Sequence, residues 1–181
     1  MPLSTKSKVK IGFFAAEAVW IGVSVSLEMK ERLTAFTEAR ALADRLLKPL
    51  ANIGCGGPRN LANIITPRFL EESDVNVDVV PRDVPNFKQA DIYHLPFTDK
   101  EIGVAWVSHI LEHLEDPDAA VKEVERVSDF QFFLVPDWWS SSAAIPSHRW
   151  IFTSDDFTRI SNQPASTLTL LALFNVAVAI I

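Results

Sequence analysis

The sequence predicts an α/β fold, a mostly parallel sheet with helices on both faces and apolar helical extensions at both termini. Three observations predict it. From Leu50 onward, short apolar runs are separated by turn residues, the pattern of buried strands. A patterned helix over Pro117–Val127 lies between two of those runs, and strands that alternate with helices pack as a covered parallel sheet. Hydrophobic residues make up 48% and charged residues 22% of the chain, enough for a core and too apolar for wholesale disorder.

The chain has 181 residues, which suits one domain with terminal extensions. Seventeen basic and 23 acidic residues leave a net charge of −6, which argues against nucleic acid as the main partner. A single cysteine excludes a disulfide framework and a multi-cysteine zinc site. Mean hydropathy is +0.14, high for a soluble domain. The apolar excess sits at the ends. Residues 11–27 carry one charge, Glu17, and residues 165–181 carry none. As a helix each stretch spans about 26 Å, short of the ~30 Å hydrocarbon core. Lys6, Lys8, Lys10, Lys30 and Arg32 flank the first stretch, which suits a membrane anchor or an amphipathic surface helix. A buried or partner-facing helix is the alternative. Glu17 and the lack of a small-residue cleavage site argue against a signal peptide. The expected location is the cytoplasm, with the membrane surface left open. The expected domains are a helical extension (1–47), a central domain (48–164) and an apolar segment (165–181).

The elements follow in order. Residues 28–47 read as a helix, with Leu33, Phe36, Arg40, Ala43 and Leu47 on a three-to-four-residue period and Pro49 as its stop. Residues 50–53 form a short strand that ends at Gly54. Residues 75–80 alternate, are rich in valine, and end at Pro81. Residues 102–107 run apolar to Ser108, and 130–135 run apolar to Pro136. The helix between these last two has Asp116 as N-cap and Pro117 in its first turn. Ala120, Val121, Val124 and Val127 form its inner face.

Three places carry chemistry. Asn52-Ile53-Gly54-Cys55-Gly56-Gly57 follows the first strand, and glycine lets the chain turn sharply and a ligand approach the backbone. In open parallel sheets, ligands bind beyond the carboxyl ends of the strands. Asp78, on the next strand, can accept bonds from both hydroxyls of a ribose. Asp91 can accept from an exocyclic amine, with Ile92 against a flat base. An ordinary turn, a surface aspartate and a loop residue are the plain alternatives.

Taken together, Asn52–Gly57, Asn76-Val77-Asp78-Val79-Val80, Ala90-Asp91, Leu95-Pro96-Phe97, Val107-Ser108-His109-Ile110-Leu111-Glu112-His113, Asp116-Pro117 and Val124-Glu125-Arg126-Val127 form an ordered series. It resembles the class I S-adenosylmethionine-dependent methyltransferases, and most of all the small type 11 group. The resemblance covers residues 50–137. It implies a Rossmann-like methyltransferase sheet with S-adenosylmethionine as cofactor. By this resemblance Gly54 and Gly56, in the loop that also holds Asn52 and Cys55, border the methionine part. Asp78 holds the ribose, Asp91 and Ile92 meet the adenine, and Ser108 and His109 face the methionine and the reacting methyl.

Four departures accompany the resemblance. Asn52 stands where the family commonly has an acid. Pro58 and Pro67 make the first crossover helix short or irregular. Ser128-Asp129 replaces the usual glycine turn, and no clear sixth or seventh strand follows Trp150, so the sheet is shortened at its C-terminal end.

His109-Ile110-Leu111-Glu112-His113 also spells the inverted zinc-hydrolase signature H-x-x-E-H. That reading needs a third ligand from a downstream helix, and the later glutamates all lie close by, so no metal is expected. Beyond the last strand, Asp137 or His148 could orient or deprotonate an acceptor, and Trp138 and Trp139 could wall its pocket or merely cap the sheet. Cys55 reads as a packing residue. The function expected is methyl transfer by in-line displacement to a small-molecule or lipid-linked acceptor, with His109, Asp137 and His148 as candidate catalytic groups. The alternative is a non-catalytic cofactor-binding or membrane-tethered module. The acceptor and the oligomeric state stay open.

Overall fold

The computed structural model describes residues 5–140, 142–143, 147–153 and 159–161. The apolar segment 165–181 lies outside the described residues. The chain forms two compact units, one of residues 29–135 and one of residues up to 28 together with those from 136.

One helix, α1 (Thr5–Leu46), runs through the whole N-terminal extension. It ends where Leu47 turns into the left-handed region (φ 53°) and Lys48 N donates to Ala43 O at 3.3 Å. Its inner face is in part the one the period suggests, through Phe36 and Ala43, and in part not. Phe36, Ala39 and Ala43 are fully buried, whereas Leu33 is 38% and Leu47 92% exposed. Ala35, Leu42 and Leu46 complete the face that packs on the sheet.

That sheet has five parallel strands: β1 (Leu50–Ile53), β2 (Val75–Asp78), β3 (Phe87–Gln89), β4 (Ile102–Ser108) and β5 (Ser128–Leu134). Their order is β3-β2-β1-β4-β5. Every residue of β1 and β4 is buried, as expected of central strands. On the α1 side, Phe36 packs against Phe69 (ring centroids 4.9 Å apart) and edge-on against Trp106 (5.2 Å). Aromatic pairs of this kind add about 0.5–1.5 kcal/mol beyond burial.

The prolines act as expected on the first crossover. It holds only α2 (Leu61–Ile65) and α3 (Arg68–Glu71). The second strand stops at Asp78 instead of running to residue 80, because Val80 N turns back onto Asp78 Oδ1 at 2.9 Å and Pro81 has no N–H to donate. The edge strand β3 has no clear apolar pattern in Phe-Lys-Gln, and the sequence did not announce it.

The helix α4 (Pro117–Val127) is capped by Asp116, whose Oδ1 accepts from Ala119 N at 3.0 Å. Strand β5 starts directly at Ser128, two residues earlier than the apolar run suggests. In the second unit, β6 (Trp150–Phe152) and β7 (Arg159–Ser161) pair antiparallel in a sheet of their own. So strands do follow Trp150, but they do not extend the five-stranded sheet. Within the same unit, Ser142 Oγ donates to Glu28 Oε2 at 2.6 Å. Among the described residues, no helix is long and apolar enough to cross a membrane.

Candidate functional site

All five strands point the same way, so their carboxyl ends share one edge. The strand order reverses between β1 and β4, and a crevice at such a switch point is where open α/β sheets bind ligands. The glycine loop follows β1 at this edge. Gly54 (φ 73°) and Gly56 (φ 66°) both need the left-handed region that side chains avoid. The N–H groups of Gly54 and Cys55 donate to Val77 O at 2.8 and 2.9 Å. Asn63 Nδ2, from α2, donates to Cys55 O at 2.9 Å and to Gly57 O at 3.1 Å. The loop is therefore tied to β2 on one side and α2 on the other.

Gly54 has a second constraint. A Cβ there would overlap the Ile110 side chain, which packs onto the bare α-carbon. Glycine at 54 thus lets the segment after β4 close over the loop.

Asp78 ends β2 and is buried. Its Oδ2 accepts from Gly56 N at 2.9 Å and its Oδ1 from Val80 N. Arg82 Nε lies 3.3 Å from Oδ2. The carboxylate and the glycine loop are thus one hydrogen-bonded assembly. Asn52 is buried in β1, and its Nδ2 donates to Phe69 O and to Asn76 Oδ1, both at 3.1 Å. Asn76 in turn donates to Leu70 O and Pro85 O, each at 2.8 Å. The amide at 52 therefore belongs to a buried ladder that anchors the two neighbouring connections.

Asp91 is exposed and closes a local turn, its Oδ1 accepting from Tyr93 N at 3.1 Å, while Ile92 is buried. Burial pushes the Cys55 thiol up to about 12, and the nearby Asp78 carboxylate pushes in the same direction. A thiol so protonated is no nucleophile at neutral pH.

Ser108 is the last residue of β4. Its Oγ is buried and has no hydrogen-bond partner among the described residues. Such an atom needs an explanation, and a ligand group is one. His109 follows in the left-handed region (φ 58°), held by its N–H to Leu134 O at 2.8 Å. Non-glycine residues in this region cluster at functional sites. His109 Nδ1 stands 3.7 Å from Oε1 of the fully buried Glu112.

The same backbone breaks the zinc motif. His109 is outside any helix, and only a 3₁₀ turn, Leu111–His113, follows it. The two histidines do not share an α-helical face as H-x-x-E-H requires.

The sheet edge thus brings together the glycine loop, Asp78, Ser108 and His109. Asp137, Trp138, Trp139 and His148 lie in the other unit. There Ser140 N donates to Asp137 O at 2.9 Å, Trp138 is exposed and His148 is buried. Sequence reasoning missed Ile110, Asn63, Asn76 and Arg82. Asn76 had a signal, a polar residue facing Asn52 across two apolar strands. The others act through tertiary contacts alone.

Residues 45–129 match the family model described as a methyltransferase domain. Over 63 residues the chain is 36% identical to the uncharacterized protein YafS of Escherichia coli (strain K12), covering 35% of this chain and 24% of that one. The chain therefore spans about a quarter of the length of the curated relative it matches. Among solved structures it is similar to the [4+2]-cyclase SpnF, at 20% identity and TM-score 0.34 over 51% of this chain and 40% of that one. It is also similar to the 1,6-didemethyltoxoflavin-N1-methyltransferase of Burkholderia thailandensis, at 17% identity and TM-score 0.35 over 76% and 63% of the two chains. Residues 45–129, the stretch that holds the parallel sheet and the glycine loop, are thus similar to a methyltransferase domain.

Proposed function

We propose that the chain binds S-adenosylmethionine at the carboxyl edge of the sheet and transfers its methyl group to a small-molecule or lipid-linked acceptor. The observation that carries this reading is the convergence of the glycine loop, Asp78 and Ser108 at the switch point of the sheet. The residues present fit an adenosyl cofactor. Gly54 and Gly56 keep the loop backbone bare, Asp78 supplies the carboxylate for the ribose, and Ser108 Oγ offers a buried polar atom beside them. Asp91 and Ile92 are the residues for the adenine, and Asn52 acts through the framework that holds the loop.

When bound, the cofactor supplies an activated methyl group. The chain's own residues position it and exclude water. No metal step enters this scheme. Where the acceptor must lose a proton, His109 is the candidate base at the sheet edge, with Asp137 and His148 as the candidates of the second unit. Exposed Val19, Trp20, Ile21, Val23 and Leu27 on α1 support a lipid surface as the place where the acceptor is met.

A second reading, a binding module without turnover, draws on Asn52, whose neutral amide is engaged by Phe69 O and Asn76 and brings no negative charge to a cationic cofactor. Calorimetry with S-adenosylmethionine and S-adenosylhomocysteine, followed by radiolabelled methyl transfer into cell extracts and lipid fractions, separates the two. Binding with transfer is the expected result. Binding without transfer to any fraction favours the module, and no binding overturns both.

A further inference from the structure

The first crossover spends its aliphatic residues on solvent. In α2, Asn63 is buried and holds Cys55 O and Gly57 O of the glycine loop. Leu61, Ile64 and Ile65 stand at the i, i+3 and i+4 positions of one helix face, and all three are exposed.

Two more aliphatics border the same loop from β2. Val79 and Val80 follow Asp78, whose Oδ2 accepts from Gly56 N at 2.9 Å. Arg82 Nη1 lies 3.6 Å from where a side chain at Gly57 would begin. Residues 79–82 therefore lie against the loop that α2 holds from its other side. The five aliphatics on the two sides are 48–62% exposed.

The size and charge of this patch say what it meets. Its exposed area is on the order of 500 Å², the scale of functional apolar patches and short of the ~800 Å² per partner in a stable protein interface. A lipid surface demands no matching shape and accepts so small an apolar face. Residues 54–70 hold Arg59 and Arg68 and no acid, in a chain of net charge −6. Arg68 is paired with Glu72 at 2.8 Å. Arg59 is exposed two residues before Leu61, where an anionic headgroup would meet it.

We propose that the outer face of α2, with Val79 and Val80, is a lipid-docking rim that seats the glycine-loop edge of the sheet on an anionic membrane surface. The docking itself needs no cofactor. Its use, to bring a lipid-linked acceptor beside bound S-adenosylmethionine, rests on the reading above.

The test places an environment-sensitive nitrobenzoxadiazole label on Ile64→Cys in the full chain. Cys55 is buried and its thiol is pushed up to about 12, so the added cysteine takes the label. Vesicles of phosphatidylcholine and phosphatidylserine should sediment the chain and shift the label to the blue. Changing Leu61, Ile64 and Ile65 together to Asn, with circular dichroism unchanged, should lower the sedimented fraction at least ~10-fold through lost apolar burial. If that variant does not fold, the single labelled variant decides. An unshifted label on a chain that sediments assigns the contact to α1 or to residues 165–181 and overturns the rim. A chain that stays in the supernatant overturns it too, as does a shift produced by added unlabelled chain and not by vesicles, the mark of a second copy. A vesicle-induced shift in a chain that shows no calorimetric binding of S-adenosylhomocysteine upholds the docking and removes the cofactor reading. Calorimetric binding with no shift removes the rim alone.

Discussion

Asp78 serves two tasks, and its substitution must be read with both in view. It anchors the glycine loop through Gly56 N and the following turn through Val80 N. Asp78→Ala therefore loosens the loop as well as the proposed ribose contact. Asp78→Asn keeps the shape and removes the charge. It should weaken binding of S-adenosylmethionine by at least ~10-fold, since hydrogen bonds to a charged group are worth about 1.5–3 kcal/mol. Titration of a folded Asp78→Asn protein checks this, and unchanged affinity removes Asp78 from the site. Gly54 is constrained by conformation and by its neighbour. Gly54→Val puts a β-branched residue at φ 73° and drives it into Ile110. The expected cost is about 2–5 kcal/mol, combining left-handed strain with overpacking. Urea denaturation measures it, and Ile110→Ala in the same chain should restore part of the loss. A Gly54→Val protein as stable as the parent would contradict the close packing of this segment on the loop.

At the scale of elements, α1 and α4 make opposite predictions. α1 ends on Leu47, a left-handed residue whose side chain is 92% exposed. Leu47→Gly removes the strain and no packing. It should stabilise the fold by about 0.5–1 kcal/mol, read as a raised denaturation midpoint. α4 clamps the Leu95-Pro96-Phe97 turn. Glu123 Oε1 accepts from Leu95 N at 2.8 Å, and Arg126 donates to Phe97 O at 3.0 Å and to Asp99 Oδ1 at 2.8 Å. The Arg126 guanidinium holds the Glu123 carboxyl below its ordinary range, and the Leu95 N–H adds to this. A carboxyl lowered in the folded state stabilises the fold above its unfolded value of about 4.3. That stability is lost as pH falls through the lowered folded value. Denaturation curves between pH 3 and 6 should therefore lose less stability on acidification in Glu123→Gln than in the parent chain, with the plateau at pH 6 already lower. Equal slopes would deny Glu123 its role in the clamp.

For the whole molecule, the question is where the proposed methyl acceptor would be met. α1 exposes Val19 (65%), Val23 (51%) and Leu27 (50%), and Lys6, Lys8 and Lys10 precede them in the sequence. A lipid surface would accept both the apolar residues and the charge, at about 1 kcal/mol for each lysine near anionic headgroups. The full chain should sediment with vesicles containing phosphatidylserine, and changing Lys6, Lys8 and Lys10 to Glu should reduce the bound fraction at least ~10-fold. A chain ending at Pro164 separates the contribution of the last segment. If the full chain stays in the supernatant, these apolar residues serve a protein interface, and a lipid-linked acceptor loses its support.

The sequence by itself determined the fold class, four of the five parallel strands, the capped helix α4 and the broken first crossover. Each of these is written locally, in the length of an apolar run, the place of a proline or the residue before a helix. The glycine loop, Asp78 and Ser108 were legible for the same reason, since each lies within a residue or two of a strand end. Only the tertiary structure decided the rest. It shifted the buried face of α1 onto Ala39 beside Phe36 and Ala43 and left Leu33 and Leu47 exposed, with Phe36 packed on Phe69 and Trp106. It added β3, whose three residues are held by pairing with β2 rather than by an apolar pattern. Asn52 joined the framework because Asn76 stands beside it in register, and Arg82 reached the site because the short return after β2 folds it back onto Asp78. These choices depend on contacts between residues that local patterning treats as independent, so they exist only once the sheet is assembled.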